Sequence, residues 1–398
     1  MAISTRHRRK RQSPTSQQVR QLRPSGIRKY FDLIASMEGV ITLGVGEPDF
    51  ATPWHIREAA IYSLEKGYTM YTSNLGMPEL RQELSRYLKD TYNLTYDPAT
   101  ELLITTGVSE ALDLTMRAIL DPGDEVIMPD PCYVSYSACV ALATGKPVMV
   151  PTDPENNFEI SAADIEAQVT DKTKAILIGY PANPTGAVMT RDKLAEIAEV
   201  AQRHGLLIIS DEIYARLVYG VEHTCLATLP EMREGTILLG GFSKAYAMTG
   251  WRIGYAAANP EITAAMTKIH QYTMLCAPIM GQIAAVEALR SGENSVAEMV
   301  EEYNRRRLVM VKGLNDIGLS CFEPRGAFYA FPSIKSTGMS SEEFTEKLLL
   351  EEKVAVVPGS AFGQCGEGFI RCCYATPLAN IEEALSRIEK FVDKRKMV

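Results

Sequence analysis

Two kinds of hydrophobic spacing alternate through the middle of this chain. Short unbroken apolar runs stand at Leu102-Leu103-Ile104, Glu125-Val126-Ile127-Met128, Lys174-Ala175-Ile176-Leu177-Ile178, Leu206-Leu207-Ile208-Ile209, Thr236-Ile237-Leu238-Leu239 and Ile253-Gly254-Tyr255-Ala256. Between them lie helical stretches, from Ser109 to Leu120 and from about Asp192, where Leu194, Ile197, Ala198 and Ala201 share a face and Gly205 stops the run. Unbroken runs this short mark strands buried on both faces, and the 3.6 period marks the helices that cover them. The fold class is therefore α/β with a mainly parallel sheet, whose ligands lie beyond the carboxyl ends of the strands. Upstream, Ile27, Tyr30, Phe31 and Ile34 take helical spacing with Gly39 as a C-terminal cap. Thr52-Pro53 then opens a further helix, with a capping hydroxyl and a first-turn proline, which ends at Gly67.

After about residue 295 the texture changes. A long charged helix through Glu301, Glu302, Arg305, Arg306 and Arg307 leads to a strand at Gly326-Ala327-Phe328-Tyr329-Ala330-Phe331-Pro332, an α+β signature. The expected division is a basic tail over 1–24, a segment over 25–50 packing with the smaller domain, a large domain over 51–295 and a smaller α+β domain over 296–398.

Composition narrows the function classes. A net charge of −8 argues against nucleic acid as a partner, and no apolar run approaches the roughly 18 residues of a membrane span. The eight cysteines form no CxxC pair, which fits reduced thiols and a cytoplasmic setting. The first 31 residues lack Asp and Glu, and His7-Arg8-Arg9-Lys10-Arg11 is strongly basic. A solvated tail is the plain reading and a targeting segment the competing one. With no apolar core after the charges, a secretory signal is not expected.

The residues just past each apolar run are chemically coherent. Lys244 and Arg252 lie between two strands; a buried primary amine loses proton affinity and becomes nucleophilic, and a guanidinium suits a phosphate. That combination points to pyridoxal phosphate. Thr105-Thr106-Gly107-Val108-Ser109 opens a helix whose N-terminus favours an anion, although such a string also serves as a simple cap. Tyr133, held among prolines, suits either a flat heterocycle or packing. Asn183, in the turn Asn183-Pro184-Thr185-Gly186, has an amide able to donate to a phenolate-like oxygen. Asp211 closes a buried strand, where a carboxylate needs a partner; a protonated pyridine nitrogen is one, and capping a helix is the alternative.

Read together, these strings make the sequence recognisable. With Gly46-Glu47-Pro48-Asp49-Phe50, Asn183-Pro184-Thr185-Gly186, Ser210 to Tyr214, Ser243 to Arg252 and Phe369-Ile370-Arg371, the chain resembles the class I/II aminotransferases, the fold-type I pyridoxal-phosphate enzymes. The resemblance runs from about residue 25 and implies a large domain with a mainly parallel seven-stranded sheet plus a smaller α+β domain. It implies that Lys244 carries the cofactor as a Schiff base and that Asp211 pairs with the pyridinium. Tyr214 and Asn183 are implied to bond the ring oxygen, and Tyr133 to stack on the ring. Val108 and Ser109 backbone groups, Ser243 and Arg252 are the implied phosphate ligands. Arg371 is the implied clamp for the substrate α-carboxylate, with Gly46 offering a backbone contact. Tyr71 resembles the tyrosine that relatives present to the neighbouring subunit's phosphate, which implies a homodimer with shared active sites.

Two departures qualify the substrate. Gly241 stands where some relatives have a phosphate-binding serine, and Ser109 where one group has lysine. No arginine lies between Arg252 and Arg290, where another group supplies one from the partner. The expected reaction is ping-pong transamination between an L-amino acid and a 2-oxo acid, with 2-oxoglutarate/glutamate as one couple. The other amino acid is of aspartate, aromatic or alanine type. His270-Gln271-Tyr272-Thr273-Met274 is expected to line the side-chain pocket. The rival readings are a C–S β-lyase on the same cofactor, or a non-catalytic regulator, for which the roughly 25 residues before Ser25 are too few to form a DNA-binding module.

Overall fold

The structure is a computed structural model and describes residues 13–22 and 37–396. The helix expected around Ile27 to Ile34 and the basic run His7 to Arg11 lie outside the described residues.

The strands, in chain order, are β1 (Ile41–Thr42), β2 (Leu102–Thr105), β3 (Glu125–Asp130), β4 (Lys146–Pro151), β5 (Thr173–Ile178), β6 (Leu207–Asp211), β7 (Thr236–Gly241), β8 (Gly254–Ala257), β9 (Tyr329–Ala330), β10 (Val354–Ala355), β11 (Val357–Pro358) and β12 (Ile370–Cys373). Seven of them form one sheet in the order β2-β8-β7-β6-β5-β3-β4, and only β8 runs against its neighbours. Each expected apolar run is a strand of this sheet. β2, β3 and β8 are buried at every position; the helices over Val108–Ile119 and Pro260–Thr273 turn apolar residues into one core cluster and the helix over Arg191–His204 into another, and strand residues of the sheet line both. β4 was not legible as a strand, because Lys146-Pro147-Val148-Met149-Val150-Pro151 begins and ends in residues poor for a ladder. At the sheet edge those prolines cost little.

The direction of the strands places the chemistry. The carboxyl ends of β2, β3, β5, β6 and β7 share one rim. β8 runs the other way, so the residues just before it arrive at that rim too. The connection from Gly241 to Gly254 therefore delivers both Lys244 and Arg252 to the same place.

Two expected caps differ. The helix after Thr52 spans Trp54–Glu65 with Pro53 as its N-cap residue and no side-chain cap. Thr52 Oγ1 instead donates to Ala247 O at 2.6 Å and accepts from Trp251 Nε1 at 2.9 Å, so its hydroxyl fastens the Lys244 loop. The helix expected from Ser109 begins one residue earlier, after Gly107 at φ +77°. Downstream, the charged helix spans Glu293–Ile317. The strand expected over 326–332 is reduced to β9, in a three-stranded antiparallel sheet with β12 and β11. β1 pairs in parallel with β10, and Asp49 accepts from Arg306 at 2.8 and 2.9 Å, so the 41–50 segment lies against the C-terminal elements.

Candidate active site

One cavity of about 540 Å³ opens at the rim. Gly46, Val108, Ser109, Tyr133, Asn183, Asp211, Tyr214, Ser243, Lys244, Arg252 and Arg371 line it, with Glu47, Leu112, Tyr136, Pro181, Ile213, Thr249, Gly250 and Tyr329. Of the expected cofactor and substrate ligands Tyr71 is elsewhere: it stands on the surface, 79% exposed.

The Lys244 amine donates to Gly46 O at 2.7 Å. Burial pushes it down to about 8; the neighbouring Arg371 and Arg252 act in the same direction, against Cys373 and Glu47. At pH 7 about a tenth of these amines is therefore neutral and nucleophilic, about three-hundred-fold more than at the ordinary value of 10.5.

Asp211 ends β6 with 6% of its surface exposed. Its Oδ2 accepts from Tyr136 Oη at 2.8 Å and its Oδ1 from the Ile213 amide at 3.1 Å. Burial raises its pKa to about 6 despite those two bonds. A carboxylate held this deep by neutral donors alone is a site for a cation. The helix-capping alternative is met only by the bond to Ile213, which starts a turn and not a helix. Tyr136 was missed by sequence reasoning. The signal was its place three residues after Tyr133, and their rings meet edge to face at 5.5 Å.

The anion cradle is shaped by missing side chains. A Cβ at Gly107 would lie 2.5 Å from Arg252 Nη2, and one at Gly254 would lie 2.5 Å from Gly107 C and Val108 N. Glycine at both positions lets the guanidinium close over the start of the Val108–Ile119 helix, where backbone N–H groups point outward. Arg252 itself holds φ +56°, a left-handed conformation uncommon outside glycine.

On the opposite wall Arg371 donates through Nη1 to Asn183 Oδ1 at 2.9 Å and through Nη2 to Gly44 O at 2.7 Å. Its Nε is buried with no hydrogen-bond partner. Tyr214 Oη lies 2.7 Å from Tyr329 Oη, and burial holds the Tyr214 phenol far above its usual value.

The stretch 270–274 does not line this cavity. His270 is fully buried with Nδ1 at 2.6 Å from Glu110, while Tyr272 is 84% exposed. The helix Pro260–Thr273 turns His270 inward and Tyr272 outward, away from the cavity.

The match to known proteins now decides the family. The family model described as aminotransferase class I and II matches residues 38–388. The chain belongs to the class I and II aminotransferases. A putative aminotransferase, YugH, of Bacillus subtilis is 58% identical over 95% of this chain and 98% of its own length. An aspartate aminotransferase of Pyrococcus abyssi is 47% identical over 94% of this chain and 97% of its own. Among solved structures, the aromatic aminotransferase from Pyrococcus horikoshii superposes with a TM-score of 0.89 at 44% identity, covering 94% of this chain and all of that one. This aminotransferase moves amino groups between amino acids and 2-oxo acids, and its cofactor is pyridoxal phosphate. The lyase and regulator readings are not favoured. The residues present fit the cofactor: the cavity offers a depressed amine, a buried carboxylate that lacks a cation, and a glycine-lined anion cradle.

Proposed function

We propose that the cavity transaminates an L-amino acid with 2-oxoglutarate/glutamate as one couple, and that its lining residues divide the work as follows. Lys244 would hold the cofactor covalently through its aldehyde and, once freed by the incoming substrate amine, would serve as the base and acid that moves the Cα proton. Asp211 holds the proton on the ring nitrogen, and Tyr136 orients Asp211. The bound cofactor supplies the electron-accepting ring that lets the Cα proton leave. Tyr214 donates to the ring oxygen. Asn183, whose Oδ1 accepts from Arg371, turns its amide N–H to the same oxygen, and Tyr133 lies on the ring face. Val108 and Ser109 backbone groups, Ser243 and Arg252 take the phosphate. Arg371 binds the α-carboxylate as a bidentate clamp, with Gly46 beside it.

The observation that carries this reading is the pairing of Lys244, its amine held near 8, with Asp211 in one cavity. Borohydride reduction of the pyridoxal-phosphate-loaded protein should fix the cofactor on Lys244, and Lys244→Ala should lose steady-state turnover with every amino acid offered against 2-oxoglutarate. Measurable turnover by that variant contradicts the assignment.

The reading extends to a homodimer with shared sites. Ten of the 13 exposed large apolar side chains among the described residues fall in 54–71 and 272–275, including Trp54, Tyr62, Met70, Tyr71 and Tyr272. Asn74 Nδ2 donates to Leu275 O at 2.7 Å, which joins the two stretches into one face. Apolar patches of this kind mark interfaces, and a second copy covering this one brings its Tyr71 toward the phosphate. We place the boundary between the large and small parts near residue 295 and the protein in the cytoplasm, in keeping with eight unpaired cysteines. Among the described residues no helix is long and apolar enough to cross a membrane.

A further inference from the structure

Tyr329, on β9, was given no role by its sequence context, yet it touches both halves of the site. Its Oη is 2.7 Å from Tyr214 Oη, and the centre of its ring is 4.4 Å from Arg371 Cζ. It is 1% exposed and lines the cavity. A Cβ at Gly46 would fall 2.3 Å from the same hydroxyl, so the phenol fills the space that a side chain at 46 would need. The titratable groups facing it are Arg371, Cys373, Tyr214 and Tyr133.

We propose that Tyr329 is a positioning residue that couples the α-carboxylate clamp to the donor of the cofactor's ring oxygen. The inference rests on the roles proposed above for Arg371 and Tyr214. Only one proton lies between the two phenols. When Tyr214 spends its own proton on the ring oxygen, its oxygen accepts, and Tyr329 becomes the donor. A hydroxyl that accepts one hydrogen bond donates the next more strongly. Tyr329 thereby sets how firmly Tyr214 holds the ring oxygen as an anion. Its ring does a separate job. Asn183 and Gly44 hold Arg371 in the guanidinium plane, and the aromatic face fixes the tilt of that plane.

Two variants separate the jobs. Tyr329→Phe keeps the ring and removes the hydroxyl. The pH midpoint of the bound cofactor's absorbance change should rise by about 0.5–1 unit, because a weaker donor leaves the chromophore's proton held to higher pH. The KM for the amino acid should stay within about twofold of wild type. Tyr329→Leu removes ring and hydroxyl together; it should show the same midpoint shift with a KM raised about tenfold, the value of one lost cation–π and packing contact. A Phe variant with the wild-type midpoint overturns the coupling, and a Leu variant whose KM equals that of the Phe variant overturns the clamp role. Should the Leu variant fail to fold, the Phe midpoint decides the coupling alone. Cofactor trapped at a lysine other than Lys244 would count against the proposed function and would leave the Phe-against-wild-type comparison readable.

Discussion

Several contacts in the site have no slack, and this makes single substitutions informative. Gly46→Ala forces a methyl into the Tyr329 hydroxyl. Overpacking of this kind costs about 1–3 kcal/mol, so kcat/KM should fall about tenfold or more. Adding Tyr329→Phe moves the nearest atom back to 3.2 Å and should recover part of that loss. Steady-state kinetics on the single and double variants check this, and purely additive losses would argue against the clash. Titration gives a second pair of expectations. The Lys244 amine lies near 8 and not near 10.5, so in cofactor-free protein the rate of pyridoxal phosphate capture should climb with pH through about 8 and then level off. A climb centred above 10 would remove the case for a desolvated amine. Asp211 shifts the other way, to about 6 from 3.8. Its protonated form therefore stabilises the cofactor-free protein below about 3.8, and that contribution is lost as pH rises through about 6, on the order of 3 kcal/mol in all. Asp211→Asn cannot ionise and should flatten this part of the stability–pH curve in denaturant titrations. In the loaded enzyme the same change should lower kcat by orders of magnitude.

Between residues and the whole molecule, the strand ends carry the argument. The apolar runs were legible because burial on both faces leaves no polar alternation, and the residues after them were legible because a parallel sheet gathers its carboxyl ends. β4 was not, since its charged first residue and the prolines at 147 and 151 break up the apolar run. Thr52 looked like a cap because its neighbours fit one; its true partners, Ala247 and Trp251, are about 200 residues away and leave no local trace. Tyr329 was hidden for the same reason, as an aromatic in an apolar string reads as core until its hydroxyl finds Tyr214. Gly254 shows how tightly two elements meet. Gly254→Ala places a methyl 2.5 Å from the backbone of Gly107 and Val108, so the turn proposed to offer its N–H groups to the phosphate must shift. The dissociation constant for pyridoxal phosphate should rise well over tenfold, while that for pyridoxal, which lacks the phosphate, changes little. Equal losses for both ligands would mean that the turn does not bind phosphate.

For the molecule as a whole, the apolar face over 54–71 and 272–275 predicts a stable dimer. Sedimentation should report twice the 43.9 kDa chain mass at micromolar concentration. Tyr71→Ala should weaken pyridoxal phosphate binding although Tyr71 lies outside its own chain's cavity. Mixing Tyr71→Ala with Lys244→Ala subunits tests the sharing directly. Hybrids contain one site with both lesions and one with neither, so activity should return toward a quarter of wild type. No recovery after subunit exchange would confine each site to a single chain.

The reversed strand β8 has a consequence for evolution and for motion. Because the chain leaves the sheet at Gly241 and re-enters it at Gly254, Lys244 and Arg252, the proposed covalent and anion anchors, ride on one short span of backbone. Their separation is inherited as a local trait, set by the dozen residues between the two strands rather than by distant packing. Amide hydrogens along this span should exchange together, and last, when the loaded protein is left in heavy water.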